Sequence, residues 1–277
     1  MKSSKGTFEG LGKLKLFYQV WVPEQTPRAA IVIIHGGNGD HSSRYKNVVN
    51  HFVPCNYAIY TFDQRGSGQS LGHRGHIKHW KEFREDLAMF LNFVYHEQPN
   101  LPIYIFGHSL GGVTVLDYCI RNPKNIRGII CSAPAIGEIN ISPFLWTVAR
   151  FLNQVWPSIP ISTGLDMSKT SRDSAEVQAT LNDPYMHGKG TPRLAMQLNE
   201  TVDWIHSHAN EFSLPLLILH GTKDEFASIE GSRKFINNVA YHDAELKEYD
   251  GGYHELFRDT IKQQVFNDIE EWLSQHE

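Results

Sequence analysis

The chain has 277 residues, enough to bury a large core without disulfide help, and its formal net charge of −4 offers no basic face for a phosphate backbone, which excludes nucleic acid as a partner. Its three cysteines, Cys55, Cys119 and Cys131, are odd in number, widely spaced and set in apolar segments, so they read as reduced core thiols rather than a disulfide frame or a zinc site. The first twenty residues lack the apolar stretch and cleavage site of a secretory signal and no run of 18 apolar residues follows, so a cytoplasmic protein is expected, at most peripheral to a membrane.

In chain order, Leu14, Leu16, Tyr18, Val20 and Val22 alternate with mostly polar residues, the pattern of a half-exposed strand. Five later runs, "AAIVIIHG", "YAIYTFD", "PIYIFG", "GIICSAP" and "PLLILHG", are short, continuously apolar and ended by turn residues, as strands of a parallel sheet covered on both faces would be. Helical spacing lies between and after them: Tyr45, Val48, Val49 and Phe52, then Phe83, Leu87, Phe90, Leu91 and Val94, and finally Val265, Ile269, Trp272 and Leu273. This βαβα order predicts an α/β fold with a doubly wound, mostly parallel sheet. One stretch breaks the rhythm. Residues 137–210 hold no convincing buried strand, so the expected organisation is a core of 1–136 and 211–277 with an inserted helical cap at 137–210.

Four of the strand ends carry chemistry. In "IYIFGHSLGG", Ser109 sits between Gly107 and Gly111, after an apolar run and before residues that can continue as a helix. A G-x-S-x-G match alone arises by chance in roughly one chain of this length in ten. The strand–turn–helix context is what a nucleophile elbow requires, because the hydroxyl must project from a sharp turn at the carboxyl edge of the sheet. A serine needs a base and a carboxylate to orient it. His254 follows a strand and a Gly-Gly loop in "ELKEYDGGYHELF", and Asp224 follows a strand in "PLLILHGTKDEF", which puts both at that same edge in the order Ser, Asp, His. Glu225 and Asp250 are rival carboxylates, and His220 reads as structural. For the oxyanion, the turn after "IVIIHGG" can aim the Gly37 N–H at the space above Ser109, with the Leu110 N–H as second donor and His35 as a buried hydrogen-bonding residue.

The blocks "HGGNGDHSSRY", "FDQRGSGQS", "GHSLGG", "HGTKDEFASIEGSRKF" and "YDGGYHELFRD" resemble those of the α/β-hydrolase superfamily, most closely its monoacylglycerol lipase and lysophospholipase branch. The resemblance runs from about residue 10 to the C-terminus and is weakest across the insertion. It implies a serine esterase that works without metal or cofactor, on a small-molecule lipid ester, with Ser109 as nucleophile, Asp224 as orienting acid and His254 as general base. It also implies a packing role for Asp63 and Arg65. "HGGNGDHS" is one residue longer than the usual form, which leaves Asn38 as a competitor to Gly37 for the oxyanion. Within the cap, Phe144, Leu145, Val148, Phe151, Leu152 and Val155 fall at helical spacing, with Trp156 beyond. They are expected either to line an acyl trough or to pack the cap onto the sheet domain; Arg150 is the only cation within 142–156, so any membrane contact through this helix would be weak. Short-chain carboxylesterase, thioesterase and acyltransferase activities share the same acyl-enzyme chemistry and stay open, as does a non-catalytic ligand-binding receptor on the same fold. Oligomeric state is not fixed by these motifs.

Overall fold

The computed structural model describes residues 1–138 and 142–277; residues 139–141, inside the expected insertion, lie outside the described residues. The chain begins with β1 (Lys2–Gly10) and β2 (Leu14–Val22), paired antiparallel along their whole length, from Lys2 opposite Val22 to Gly10 opposite Leu14. It continues through β3 (Ala29–Ile34), α1 (Lys46–Phe52), β4 (Tyr57–Phe62), α2 (Lys81–Glu97), β5 (Ile103–His108), α3 (Leu110–Arg121) and β6 (Gly128–Ser132). The insertion follows, with α4 (Pro143–Val155), β7 (Ile161–Ser162), α5 (Ser174–Leu181), β8 (Lys189–Gly190) and α6 (Pro192–Ser207). The chain then returns to the sheet through β9 (Leu216–Gly221), α7 (Ile229–Asn238), β10 (Ala244–Tyr249) and α8 (Lys262–Gln275).

Among the described residues eight strands form one sheet in the order β1-β2-β4-β3-β5-β6-β9-β10. Every pairing from β4 to β10 is parallel, and β2, antiparallel to both β1 and β4, is the one strand of this sheet that runs against the rest. The apolar runs at β3, β4, β5, β6 and β9 are buried throughout, because successive side chains point to opposite faces and both faces are covered. In β3, Ala30, Val32 and Ile34 join the α2 residues Leu87, Phe90 and Val94, while Ile31 and Ile33 join Val48, Val49 and Phe52 of α1 and Ile269 and Leu273 of α8. Each such side chain removed from water contributes roughly 1.5–3 kcal/mol, so the sheet is clamped from two sides.

Several elements had no counterpart in the apolar pattern, β1 and α6 among them. β1 reads "KSSKGTFEG", with Phe8 its only large apolar residue, and is held by its ladder to β2 rather than by burial. Its lysines Lys2 and Lys5 stand on an exposed edge, where charge discourages pairing with a second chain. α6 starts with Thr191, whose hydroxyl accepts from the Leu194 N–H at 3.3 Å, followed by Pro192 at the first helical position. That Thr-Pro pair is a readable helix start, and the helix buries Met196, Val202 and Ile205.

Candidate active site

Ser109 lies between β5 and α3 with φ 51° and ψ −117°, a conformation that costs a residue with a side chain about 1–3 kcal/mol. The surroundings hold it there. Its N–H donates to the Ser132 carbonyl at 3.0 Å, and its own carbonyl accepts from Val113 and Ala135 at 3.3 and 3.1 Å. The flanking glycines are sterically required: a Cβ on Gly107 would stand 2.9 Å from the Gly112 Cα and from Val115, and one on Gly111 would overlap the Ile34 carbonyl oxygen. His108 and Leu110 on either side are buried, whereas Ser109 stays partly exposed at the carboxyl edge of the sheet.

The turns after β9 and β10 bring Asp224 and His254 together. His254 Nδ1–H donates to Asp224 Oδ2 at 2.7 Å, and the other carboxylate oxygen accepts from the Phe226 and Ala227 N–H groups at 2.7 and 3.0 Å. Neither rival carboxylate takes this place: Asp250 accepts from the Thr222 hydroxyl, and Glu225 is an exposed partner of Lys169. The His254 ring is buried, stacked on Phe226 at 5.0 Å and packed against His108, the residue before the serine, at 4.8 Å. Burial opposes a charge on either partner, but their mutual attraction prevails: Asp224 is held well below the usual carboxylate range and His254 is raised above its ordinary value. His108 has no such partner, and burial together with His254 pushes it down to about 3.

Sequence reasoning treated His220 as structural, and its contacts are more specific than that. Its Nδ1 accepts from the Ser232 hydroxyl at 2.8 Å, which leaves Nε2–H to donate to the Ala227 carbonyl at 2.9 Å and to approach Asp224 Oδ2 at 3.3 Å. The triad-like carboxylate is therefore gripped by two histidines and two backbone amides.

The loop after β3 is fixed by Asp40, whose spacing from His35 also matches a loose H-x4-D acyltransferase pattern too short to carry a reading. Its carboxylate accepts from the N–H groups of Gly36 and His41, from Arg44 Nε and from the Tyr45 hydroxyl, all within 2.7–2.9 Å. Burial disfavours its charge, but Arg44 and these donors hold Asp40 well below the usual range. His35 is fully buried and accepts the Gln64 N–H at Nε2, which joins the end of β3 to the end of β4. Gly37 lies against the start of α3, where a Cβ on it would be 3.6 Å from Leu110 Cβ. Asn38, at φ 59°, instead turns its carbonyl to the N–H groups of His187 and Gly188 in the insertion. Asp63 and Arg65 form packing contacts: Asp63 accepts from Ser42 and Gln69 N–H groups, and Arg65 makes a two-pronged bond to Asp86.

A serine in a strained elbow, with a histidine–aspartate pair at the same sheet edge, places the chain among serine hydrolases, and comparison with known proteins agrees. The family model described as serine aminopeptidase, S33, matches residues 25–261. The chain belongs to this S33 family of α/β hydrolases. Within it, the chain is 34% identical to a monoacylglycerol lipase of Mycolicibacterium smegmatis over 99% of this chain and 98% of that protein. It is 29% identical to a phospholipase of Bacillus subtilis, over 90% of this chain and 96% of the other. The crystal structure of a soluble variant of Saccharomyces cerevisiae monoglyceride lipase, in complex with a substrate analogue, superposes with a TM-score of 0.85 at 28% identity, covering 99% of this chain and 94% of that one. The protein is a serine ester hydrolase.

In this S33 family member the insertion meets the core unevenly. Its α5 region is pinned by charge: Arg258 pairs with Glu176, Arg44 donates to the Thr180 hydroxyl and to Glu255, and Arg172 pairs with Asp259. The Glu255 N–H, next to His254, donates to the Thr170 carbonyl at 2.8 Å. The apolar stripe of α4 is largely open to solvent. Phe144, Leu145, Val148 and Phe151 are exposed by 74%, 53%, 37% and 62%, and Val155 and Trp156 are exposed as well, with Leu152 half-buried. The stripe therefore does not pack the insertion onto the sheet domain. Among the described residues no helix is long and apolar enough to cross a membrane.

Proposed function

We propose that the protein cleaves monoacylglycerol or lysophospholipid-type lipid esters through an acyl-enzyme on Ser109. The observation that carries this reading is the 2.7 Å bond from His254 Nδ1–H to Asp224, which leaves Nε2 as the free, basic nitrogen at the edge where Ser109 is presented. His254 Nε2 takes the hydroxyl proton as Ser109 Oγ attacks the ester carbonyl, and returns it to the departing alcohol. A water then gives a proton to the same nitrogen, attacks the acyl-enzyme and releases the fatty acid, restoring the serine. Asp224 keeps the imidazole in the productive tautomer and stabilises its charged form.

The oxyanion donors are the Gly37 and Leu110 N–H groups. Leu110 is the first residue of α3, whose leading amides have no partner within the helix, and Gly37 lies beside it. Residues 137–210 act as a cap, and the exposed α4 stripe offers apolar surface to a long acyl chain. The lipid specificity rests on the named activities of the relatives together with that stripe.

Fatty-acid release from a long-chain monoacylglycerol by purified protein, with Ser109→Ala as the blank, tests the reading. Release by the unsubstituted protein alone supports it. If only short-chain esters or thioesters are cleaved, the acyl-enzyme assignment stands and the lipid assignment fails.

A further inference from the structure

On the opposite edge of the sheet, at the amino ends of the strands, three side chains of different chemistry converge. His51 closes α1, Cys55 lies in the turn that leads to β4, and Glu270 projects from α8; one donor atom from each lies within 4.8 Å of the other two. The other two cysteines are buried, and only Cys55 escapes the expectation of a core thiol. Parallel strands of six residues separate this edge from the serine, on the order of 20 Å.

We propose that His51, Cys55 and Glu270 form a binding site for a thiophilic divalent cation of the zinc class, which ties α1 to α8 away from the catalytic residues. The donor set is imidazole, thiolate and carboxylate, the three ligand types that zinc combines, and their summed charge of −2 balances the ion. The spacing is close to what is required. In a tetrahedral site with metal–ligand bonds of about 2.0–2.3 Å, adjacent donors stand about 3.3–3.8 Å apart. His51 Nε2 and Glu270 Oε2 are 3.3 Å apart, at the lower end of that range. Cys55 closes the remaining gap by side-chain rotation, since it is only partly buried.

The supporting structure points the same way. The His51 ring is stacked on Phe266 of α8 at 4.8 Å and set edge-on against Phe52, which fixes its plane with Nε2 toward Glu270. Arg28, which borders the same depression as Glu270, is engaged by Glu277 and lies over the Tyr57 ring. Beside Glu270, a depression of about 320 Å³ bordered by Arg28, Asn267, Glu271 and Ser274 admits solvent as the fourth ligand.

The test titrates the reduced full-length protein with cobalt(II) alone and then with zinc(II). One equivalent of cobalt should produce a thiolate-to-cobalt absorption band that zinc abolishes; the band should be missing in Cys55→Ser, and Glu270→Gln should weaken cobalt binding by tenfold or more. Zinc should also raise the Tm of the unsubstituted protein and leave that of Cys55→Ser unchanged. The proposal is overturned if the unsubstituted protein gives no thiolate band, if Cys55→Ser keeps it, or if Glu270→Gln binds cobalt as tightly as the parent.

Discussion

His254 Nδ1 and Asp224 Oδ2 are 2.7 Å apart, and both groups are almost wholly withdrawn from water. In that setting the pair reinforces itself, since the imidazolium is stabilised by the carboxylate and the carboxylate by the imidazolium. Asp224→Asn replaces the acceptor with an amide that can stabilise the other tautomer, so kcat should fall on the order of ten-thousand-fold. The loss should be accompanied by intact folding, because the Phe226 and Ala227 amides can still be accepted by the side-chain oxygen.

The pH dependence follows from the same contact. His254 works as a base only when neutral, and its value is raised in the folded protein, chiefly by Asp224 against the opposing effect of burial. kcat/KM should therefore fall as pH drops, with a midpoint above the ordinary histidine value of about 6.5. In Asp224→Asn the residual activity should show its acid limb shifted to lower pH. His108, pushed down to about 3, stays neutral throughout and contributes no limb of its own. A midpoint identical in the two proteins would dissociate the titration from this pair.

Ser109 adopts its positive φ whether or not it reacts, which separates the cost of the elbow from its use. Ser109→Ala should abolish turnover and leave the strain in place, whereas Ser109→Gly should also be inactive but relieve it. The glycine variant gains the strain, about 1–3 kcal/mol, and loses up to about 1 kcal/mol to the freer unfolded chain. Thermal unfolding of the two inactive variants should place Ser109→Gly at or above Ser109→Ala.

The elements of the site that were legible in the sequence are those whose requirement is local. Gly107 and Gly111 flank Ser109 at positions where only glycine fits, and Asp224 and His254 each follow a strand whose carboxyl end must reach the same edge. The groups that hold them were not legible. Nothing in "GDHSSRY" distinguishes Asp40 and Arg44, which are buried and mutually paired, from a solvated loop, because burial is decided by chain far away in α5 and at Glu255. β1 was missed because its stability comes from a partner strand rather than from its own side chains. Periodicity located α4 but does not say what its apolar face meets.

Arg44 gives that buried network a measurable weight. It sits between Asp40 and Glu255 with both ion pairs almost fully dry, so Arg44→Leu would leave two carboxylates without their cation. Breaking a buried pair in this way costs roughly 3–5 kcal/mol, close to ten degrees or more in Tm for a chain of this size. Activity should fall further than stability accounts for, since Asp40 also fixes the Gly36 N–H and with it the loop that carries Gly37. Arg233, which bridges Glu230 and Glu248 on the surface, is the matched control, and Arg233→Ala should leave both Tm and activity nearly unchanged.

The α4 stripe separates a structural role from a substrate role by stability and kinetics measured together. Phe144 and Phe151 are already 74% and 62% exposed, so Phe144→Ser and Phe151→Ser should each change unfolding free energy by no more than about 0.5 kcal/mol. If the acyl chain lies along this face, each loses part of a Phe contact, on the order of 1 kcal/mol, and KM for a long-chain monoacylglycerol should rise roughly fivefold. A short ester does not reach α4, and its kcat/KM should be unaffected. Equal changes for long and short substrates would place the acyl chain elsewhere, and a large drop in Tm would mean that the stripe packs against the molecule after all.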